Sequence, residues 1–162
     1  MTLRTARLSL DRPSITDLAD VHEIHADPET NRFNPAGPSP DLATTRQMLA
    51  GWLADWREHG VGYRMVRLLD APRVIGVAGL RQTELDGEVV RNLYYRFRPS
   101  AWGQGYALEA ARAAIAGGEG DGPPVVALIR PGNLASRRVA EGAGLRLHMS
   151  ILHLGGPMEL YR

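Results

Sequence analysis

From Arg7 to Asp11 polar and apolar residues alternate with the two-residue period of a short strand, which Pro13 ends. Apolar residues then recur at Ile15, Leu18, Val21 and Ile24, predicting a helix with Thr16 as N-cap and Asp27-Pro28 as its close. Three prolines and a glycine between Asn34 and Pro40 read as a loop. Asp41 then caps a second helix, with Leu42, Met48, Leu49, Trp52, Leu53 and Trp56 on one face and His59-Gly60 at its end. Three strand-like runs follow, Tyr63–Leu69, Val74–Leu80 and Val89–Phe97, punctuated by Asp70-Ala71-Pro72 and by Asp86-Gly87, a hairpin signal. Pro99 stops the third run.

A helix opens near Gly105 and carries Ala107, Leu108, Ala110, Ala111, Ala114 and Ile115. Gly117–Pro124 reads as a loop, and Val125–Ile129 is an apolar run of the kind buried on both faces of a sheet. A helix is expected from Asn133 to Glu141, ended by Gly142 and Gly144, then two strands, Leu145–Leu154 and Met158–Tyr161, joined by Gly155-Gly156-Pro157. Strand, two helices, a three-strand meander, helix, strand, helix and two strands is a mixed α/β order. Its length, 162 residues, fits one domain, 1–162.

Composition removes several function classes. The 19 basic and 18 acidic residues leave a formal net charge of +1, which gives no support for nucleic-acid binding through bulk charge. With no cysteine, disulfides, thiolate catalysis and cysteine-ligated metals are excluded. The five histidines do not stand at metal-ligand spacing, so no metal is expected. The N-terminus has no long apolar stretch and no run approaches the roughly 18 residues of a membrane span, so no membrane partner is expected and the cytoplasm is the default compartment.

The stretch from Asn92 to Ala110 carries the chemistry. A strand ends at Pro99, a turn holds Gly103 and Gly105, and a helix starts at once. A helix N-terminus offers unpaired N–H groups and partial positive charge, and glycine lets a phosphate approach the backbone. Strand, Gly-x-Gly, helix is therefore a phosphate-binding arrangement, with Arg96 and Arg98 as flanking charges. A P-loop would need a Lys that is missing here. A dinucleotide fingerprint would need a small residue at Leu108 and an acidic residue after the next strand, whereas Asp121 precedes it.

The turn Trp102-Gly-Gln-Gly-Tyr-Ala107 resembles the pyrophosphate-binding motif Q/R-x-x-G-x-G/A of GNAT acetyltransferases. Gly105 and Ala107 match its last fixed positions, and Trp102 stands where Gln or Arg is usual, a departure shared with the RimJ/RimL-like branch. Thr5-Ala-Arg-Leu-Ser-Leu10 is similar to that branch's first strand, and Asn133-Leu-Ala-Ser136 leading to Gly144-Leu145 is similar to its Asn-x-x-Ser segment. The resemblance implies a GNAT-like, mostly antiparallel sheet of about seven strands with about four helices on its two faces, acetyl-CoA as co-substrate, and a primary-amine acceptor, either a protein N-terminus or a small molecule. It also implies that the backbone of Trp102, Gly103, Gln104, Gly105, Tyr106 and Ala107 holds the pyrophosphate. N–H groups from Tyr95 to Phe97 would receive the acetyl carbonyl, Asn133 would contact pantetheine, and Ser136 would protonate the leaving thiolate. A homodimer is a family-based expectation.

Each of these residues also has a structural reading. Asn133 and Ser136 suit a helix start, Trp52 and Trp56 suit the core, and Arg96 and Arg98 suit the surface. Glu109, inside the helix, would repel a pyrophosphate and is expected to point away and serve the structure. The histidines are read as surface or capping residues, while His25, Glu29 and Glu84 are candidates to line the amine pocket. A domain that binds acyl-CoA without catalysing, or another nucleotide-phosphate binder, stays open as an alternative.

Overall fold

The computed structural model describes residues 1–118 and 122–162. The strands are β1 (Leu3–Arg4), β2 (Leu8–Asp11), β3 (Tyr63–Leu68), β4 (Val74–Leu85), β5 (Glu88–Phe97), β6 (Val125–Ile129), β7 (Leu147–His153) and β8 (Gly156–Tyr161), and the helices are α1 (Leu18–Ala26), α2 (Leu42–His59), α3 (Tyr106–Gly117) and α4 (Leu134–Gly142). One sheet runs β1-β2-β3-β4-β5-β6-β8-β7. Every pair in it is antiparallel except β5–β6, which a crossover through α3 makes parallel. The expected loop at Gly117–Pro124, with Asp121, falls partly outside the described residues.

Eight strands replace the expected seven. The extra one, β1, spans two residues paired with Leu10 and Ser9, too few to show a period in sequence. The first helix also starts differently. Ser14, not Thr16, is the cap: its hydroxyl accepts from Thr16 N, while the Asp17 carboxylate takes Ser14 N at 2.7 Å. This reciprocal box closes a 3₁₀ turn over Ile15–Asp17, and Ile15 is left exposed. The second helix follows its signals, with Thr44 N bonded to Asp41 at 2.7 Å and Gly60 left-handed at its end, although Leu42 lies in solvent.

β4 runs on to Leu85, five residues past its expected end, because the ladder with β5 continues to the Asp86-Gly87 turn. Both turn residues have positive φ, 49° and 82°, as a tight two-residue hairpin requires. The last hairpin turns on Leu154-Gly155, not on Gly155-Gly156-Pro157, so Gly156 and Pro157 belong to β8.

One sheet face takes α1 and α2: Leu18, Val21, Ile24, Leu49 and Trp52 pack on Tyr63, Met65, Val74 and Val77. The other takes α3 and α4 through Ala110, Ala111, Ala114 and Ala140, small side chains that let the helices sit close over Leu80, Leu93, Phe97 and Ala127. Trp52 and Trp56 are core residues, and Trp56 Nε1 donates to Tyr63 O at 2.8 Å. Among the described residues no helix is long and apolar enough to cross a membrane.

Candidate functional site

β5 holds its two neighbours unequally. It pairs with β4 along its whole length, from Leu85↔Glu88 to Gly76↔Phe97, without a register shift. With β6 it shares only Arg91↔Val125 and Asn92↔Val126, while β6 continues on β8 from Ala127 to Ile129. The sheet therefore splits beyond Asn92. Alternation fixes which amides face the gap. Arg91 N donates across to Pro124 O and Arg98 N donates the other way, to Ile75 O. Leu93, Tyr95 and Phe97 thus turn their N–H groups into the split. The N–H of Arg96 points to β4 and leaves the donor set expected from Tyr95 to Phe97.

The open end of the split runs into the glycine turn. Gly103 and Gly105 have φ of 75° and 78°, a region L side chains rarely adopt. Among the described residues, the N–H groups of Gly103 through Ala107 have no protein partner, while Glu109 N closes the first helical bond to Gly105 O. Trp102 is 48% exposed and ties the turn to the strand end through Nε1–H to Phe97 O at 2.9 Å.

Glu109, inside the first turn of α3, has a partner that sequence reasoning missed. Arg7 donates Nε–H to Glu109 Oε2 at 2.7 Å and Nη1–H to Gln104 O at 2.9 Å, and its guanidinium lies 4.7 Å from the Tyr106 ring centre. Burial pushes the Glu109 carboxyl up, but hydrogen bonds from Thr5 and Arg7 overcome this and hold it below its ordinary value. A fixed cation thus stands at the mouth of α3 and offsets the one carboxylate in its first turn. Only the Thr5-Ala-Arg segment of the first-strand pattern hinted at it.

The far wall is the start of α4. Asn133 caps it, accepting from Ser136 N at 3.2 Å. Ser136 Oγ donates to the Tyr95 hydroxyl at 3.0 Å, and that hydroxyl donates to Ser136 O at 2.7 Å, so the pair bridges from β5 to α4. Burial pushes the Tyr95 phenol up to about 12, against the Ser136 hydrogen bond. It stays protonated at neutral pH, able to donate a proton but not to act as a base.

The flanking arginines are spoken for. The Arg98 side chain is 9% exposed and reaches Asp20 Oδ1 and Glu23 Oε2, each at 2.5 Å, so its guanidinium pins α1 to the sheet and is not a loose charge beside the turn. Arg96 donates to Asn31 Oδ1 at 2.6 Å and lies over Tyr94.

The three amine-pocket candidates separate. His25 is buried between α1, Trp52 and Tyr94, which corrects both its pocket role and its reading as a surface residue. Its Nδ1 lies 2.8 Å from Val21 O and its Nε2 2.8 Å from the Tyr94 hydroxyl. The carbonyl accepts only, so Nδ1 carries the proton and Tyr94 donates to Nε2. Glu29 stands in solvent beside Arg32, 3.7 Å away. Glu84 does line a cavity of about 130 Å³, with Tyr63, Arg81, Asn92, Leu128 and His153. A larger cavity, about 410 Å³, lies by Gly62, Arg64 and Gly117 at the opposite end of α3 from the glycine turn. Among the described residues no cluster of three His, Cys, Asp or Glu could hold a metal.

Burial, reinforced by the Arg96 charge, lowers the His25 pKa from 6.5 to about 4. Between those values the unfolded chain binds a proton that the folded chain does not. Stability is therefore fully present above pH 6.5 and lost as pH falls toward 4, by on the order of 3 kcal/mol from this group. Unfolding free energies from urea titrations should show this slope, and His25→Gln should flatten it.

A family model described as an acetyltransferase (GNAT) domain matches residues 7–146. The Bacillus subtilis (strain 168) protein YkkB is 37% identical over 89 residues, 54% of this chain, and the match spans 52% of that relative. An acetyltransferase structure from Agrobacterium tumefaciens str. C58 is 29% identical and covers 99% of this chain and 92% of its own, with a TM-score of 0.83. RimL, a ribosomal L7/L12 α-N-protein acetyltransferase solved with coenzyme A, shares the fold at 15% identity, 99% and 96% coverage and a TM-score of 0.78. The family match runs from Arg7 at the mouth of α3 through both strands of the split and all of α4, and the chain belongs to the GNAT acetyltransferase family.

Proposed function

We propose that this chain transfers the acetyl group of acetyl-CoA directly to the nitrogen of a primary amine. The observation that carries the reading is the continuity of the split between β5 and β6 with the unpaired N–H groups of the Gly103–Ala107 turn. The turn's amides hold the pyrophosphate, with Arg7 adding charge beside them. The edges of β5 and β6 accept the pantetheine arm as an added strand, and Asn133 contacts it from α4.

The N–H groups of Tyr95 and Phe97 face the thioester oxygen and receive the charge that grows there as the amine attacks. The amine forms an N–C bond, the C–S bond breaks, and the thiolate takes a proton from the Ser136–Tyr95 pair. Solvent returns that proton and removes the one that the amine loses. Transfer is direct because no cysteine exists to carry the acyl group. Holding both reactants in one gap supplies much of the rate.

Thermal unfolding with acetyl-CoA, and with ATP and NAD as controls, tests this. At 100 times its dissociation constant a ligand stabilises by about 2.7 kcal/mol, roughly 5–10 °C for a domain of this size. A shift with acetyl-CoA alone, followed by CoA release when amines are added, is the expected result. No shift at any concentration refutes the reading, and a shift without turnover across amines reduces the protein to an acyl-CoA-binding module.

A further inference from the structure

Arg81 and Asn92 are register partners across β4 and β5, so their side chains stand side by side on the face that carries Tyr63 and Tyr94, roughly 5 Å apart at Cβ. Asn92 is also the last residue of β5 paired with β6, so both stand where the sheet begins to split. Both line the cavity of about 130 Å³.

Their hydrogen-bonding capacity is complementary and unused. Arg81 is ion-paired with the buried Asp55 on α2, Nε lying 2.8 Å from Oδ2, and this holds the guanidinium from one side. The two terminal nitrogens of Arg81 make no hydrogen bond among the described residues. The Asn92 Oδ1 is buried without a partner. Leaving a buried acceptor unpaired destabilises the protein, and a ligand N–H would satisfy it.

A charged pair of donors beside an unpartnered amide oxygen matches the two ends of one small molecule: a carboxylate on Arg81 and an amine N–H on Asn92. An α-amino acid has these groups on a single carbon. The cavity corresponds to the liquid volume of about four waters, below the roughly 300 Å³ where drug-sized pockets begin. Leu85 and Leu128 give it an apolar wall. A polyamine would find no buried carboxylate without a cation already beside it, because Asp55 is ion-paired with Arg81 and Glu84 is exposed. A protein N-terminus brings the amine but no α-carboxylate for Arg81.

We propose that the acceptor is a free α-amino acid with a small apolar side chain, its carboxylate held by Arg81 and its amine received by the Asn92 Oδ1. This rests on the acetyltransferase reading. The ammonium form first gives a proton to solvent, and the neutral nitrogen then attacks the thioester carbon at the split.

The test compares L-alanine and L-valine with their amides, putrescine and an alanine-initiated peptide as acceptors, with acetyl-CoA binding followed separately by thermal shift. The free acids should exceed the amides in kcat/KM by at least about tenfold. Arg81→Gln should bring that ratio to about one through KM, without changing the acetyl-CoA shift. Arg81→Lys, which keeps a cation for Asp55 without the fork, guards against simple unfolding and should also lose most of the ratio. Asn92→Leu should raise KM for every amine.

Turnover of the amides, putrescine or the peptide in preference to the free acids overturns the amino-acid assignment and leaves the acetyltransferase reading standing. So does an Arg81→Gln enzyme that keeps the ratio. Loss of the acetyl-CoA shift in the wild-type protein overturns both.

Discussion

Replacing Gly105 by glutamate is expected to abolish acetyl-CoA binding in a protein that still folds. At φ of 78° any L side chain is strained, by about 1–2 kcal/mol, which a domain of this size survives. The larger effect is electrostatic. The new carboxylate would sit at the N-cap of α3, where the unpaired amides and the helix dipole otherwise receive an anion. A Cβ at this position lies 3.5 Å from Arg7 Nη2, so the introduced glutamate would also capture the cation at the mouth of the turn. A ligand phosphate would meet a negative charge in place of two attractive elements.

The affinity loss should exceed about 100-fold, enough to erase the stabilisation of about 2.7 kcal/mol that saturating acetyl-CoA gives. Gly60→Ala supplies the control for strain, since Gly60 has φ of 67° with nothing within 4 Å of a Cβ and lies at the end of α2. It should lower Tm slightly and leave the acetyl-CoA shift unchanged. A folded Gly105→Glu protein that binds acetyl-CoA normally would remove the glycine turn from the site.

What the sequence disclosed follows a physical divide. Features with a local signature were legible: Asp86-Gly87 as a hairpin, Asp41 and Gly60 as the ends of α2, the Gly103–Gly105 turn before α3, and Val125–Ile129 as a buried strand. Each is set by backbone conformation or by a period within a few residues. The misses depend on residues that meet only after folding. Arg98 finds its carboxylates 75 and 78 positions earlier, and Arg7 lies 102 positions from Glu109. Neither distance leaves a pattern in the chain. His25 looked like a surface residue because α1 alone does not reveal that Trp52 and Tyr94 close over it. The Ser136–Tyr95 bridge and the idle Oδ1 of Asn92 are products of strand register, which alternation suggests only within a strand. β1 is too short to carry any period at all.

Arg98→Leu should destabilise the fold by about 2–4 kcal/mol, a fall in Tm of roughly 5–15 °C, while leaving the acetyl-CoA shift intact. The guanidinium joins β4 to α1: Nε–H goes to Val74 O at 2.7 Å, and the other two nitrogens reach Asp20 and Glu23 on α1. Leucine fills similar volume but leaves the carbonyl of Val74 and the carboxylate of Asp20 without their donor. Most of the loss comes from that buried end, because Glu23 is 58% exposed and its share of such a pair stays below about 1 kcal/mol. The Arg98 hydrogen bond and charge lower the Glu23 pKa from 4.5. The stability from that carboxylate is therefore present above pH 4.5 and lost as pH falls through the lowered folded value, so the gap between wild type and variant should narrow in acid. If Arg98→Leu instead keeps its Tm and loses the acetyl-CoA shift, the guanidinium serves the phosphates after all. A lowered Tm with the shift preserved would establish it as the clasp that holds α1 against the strand from which the site is built.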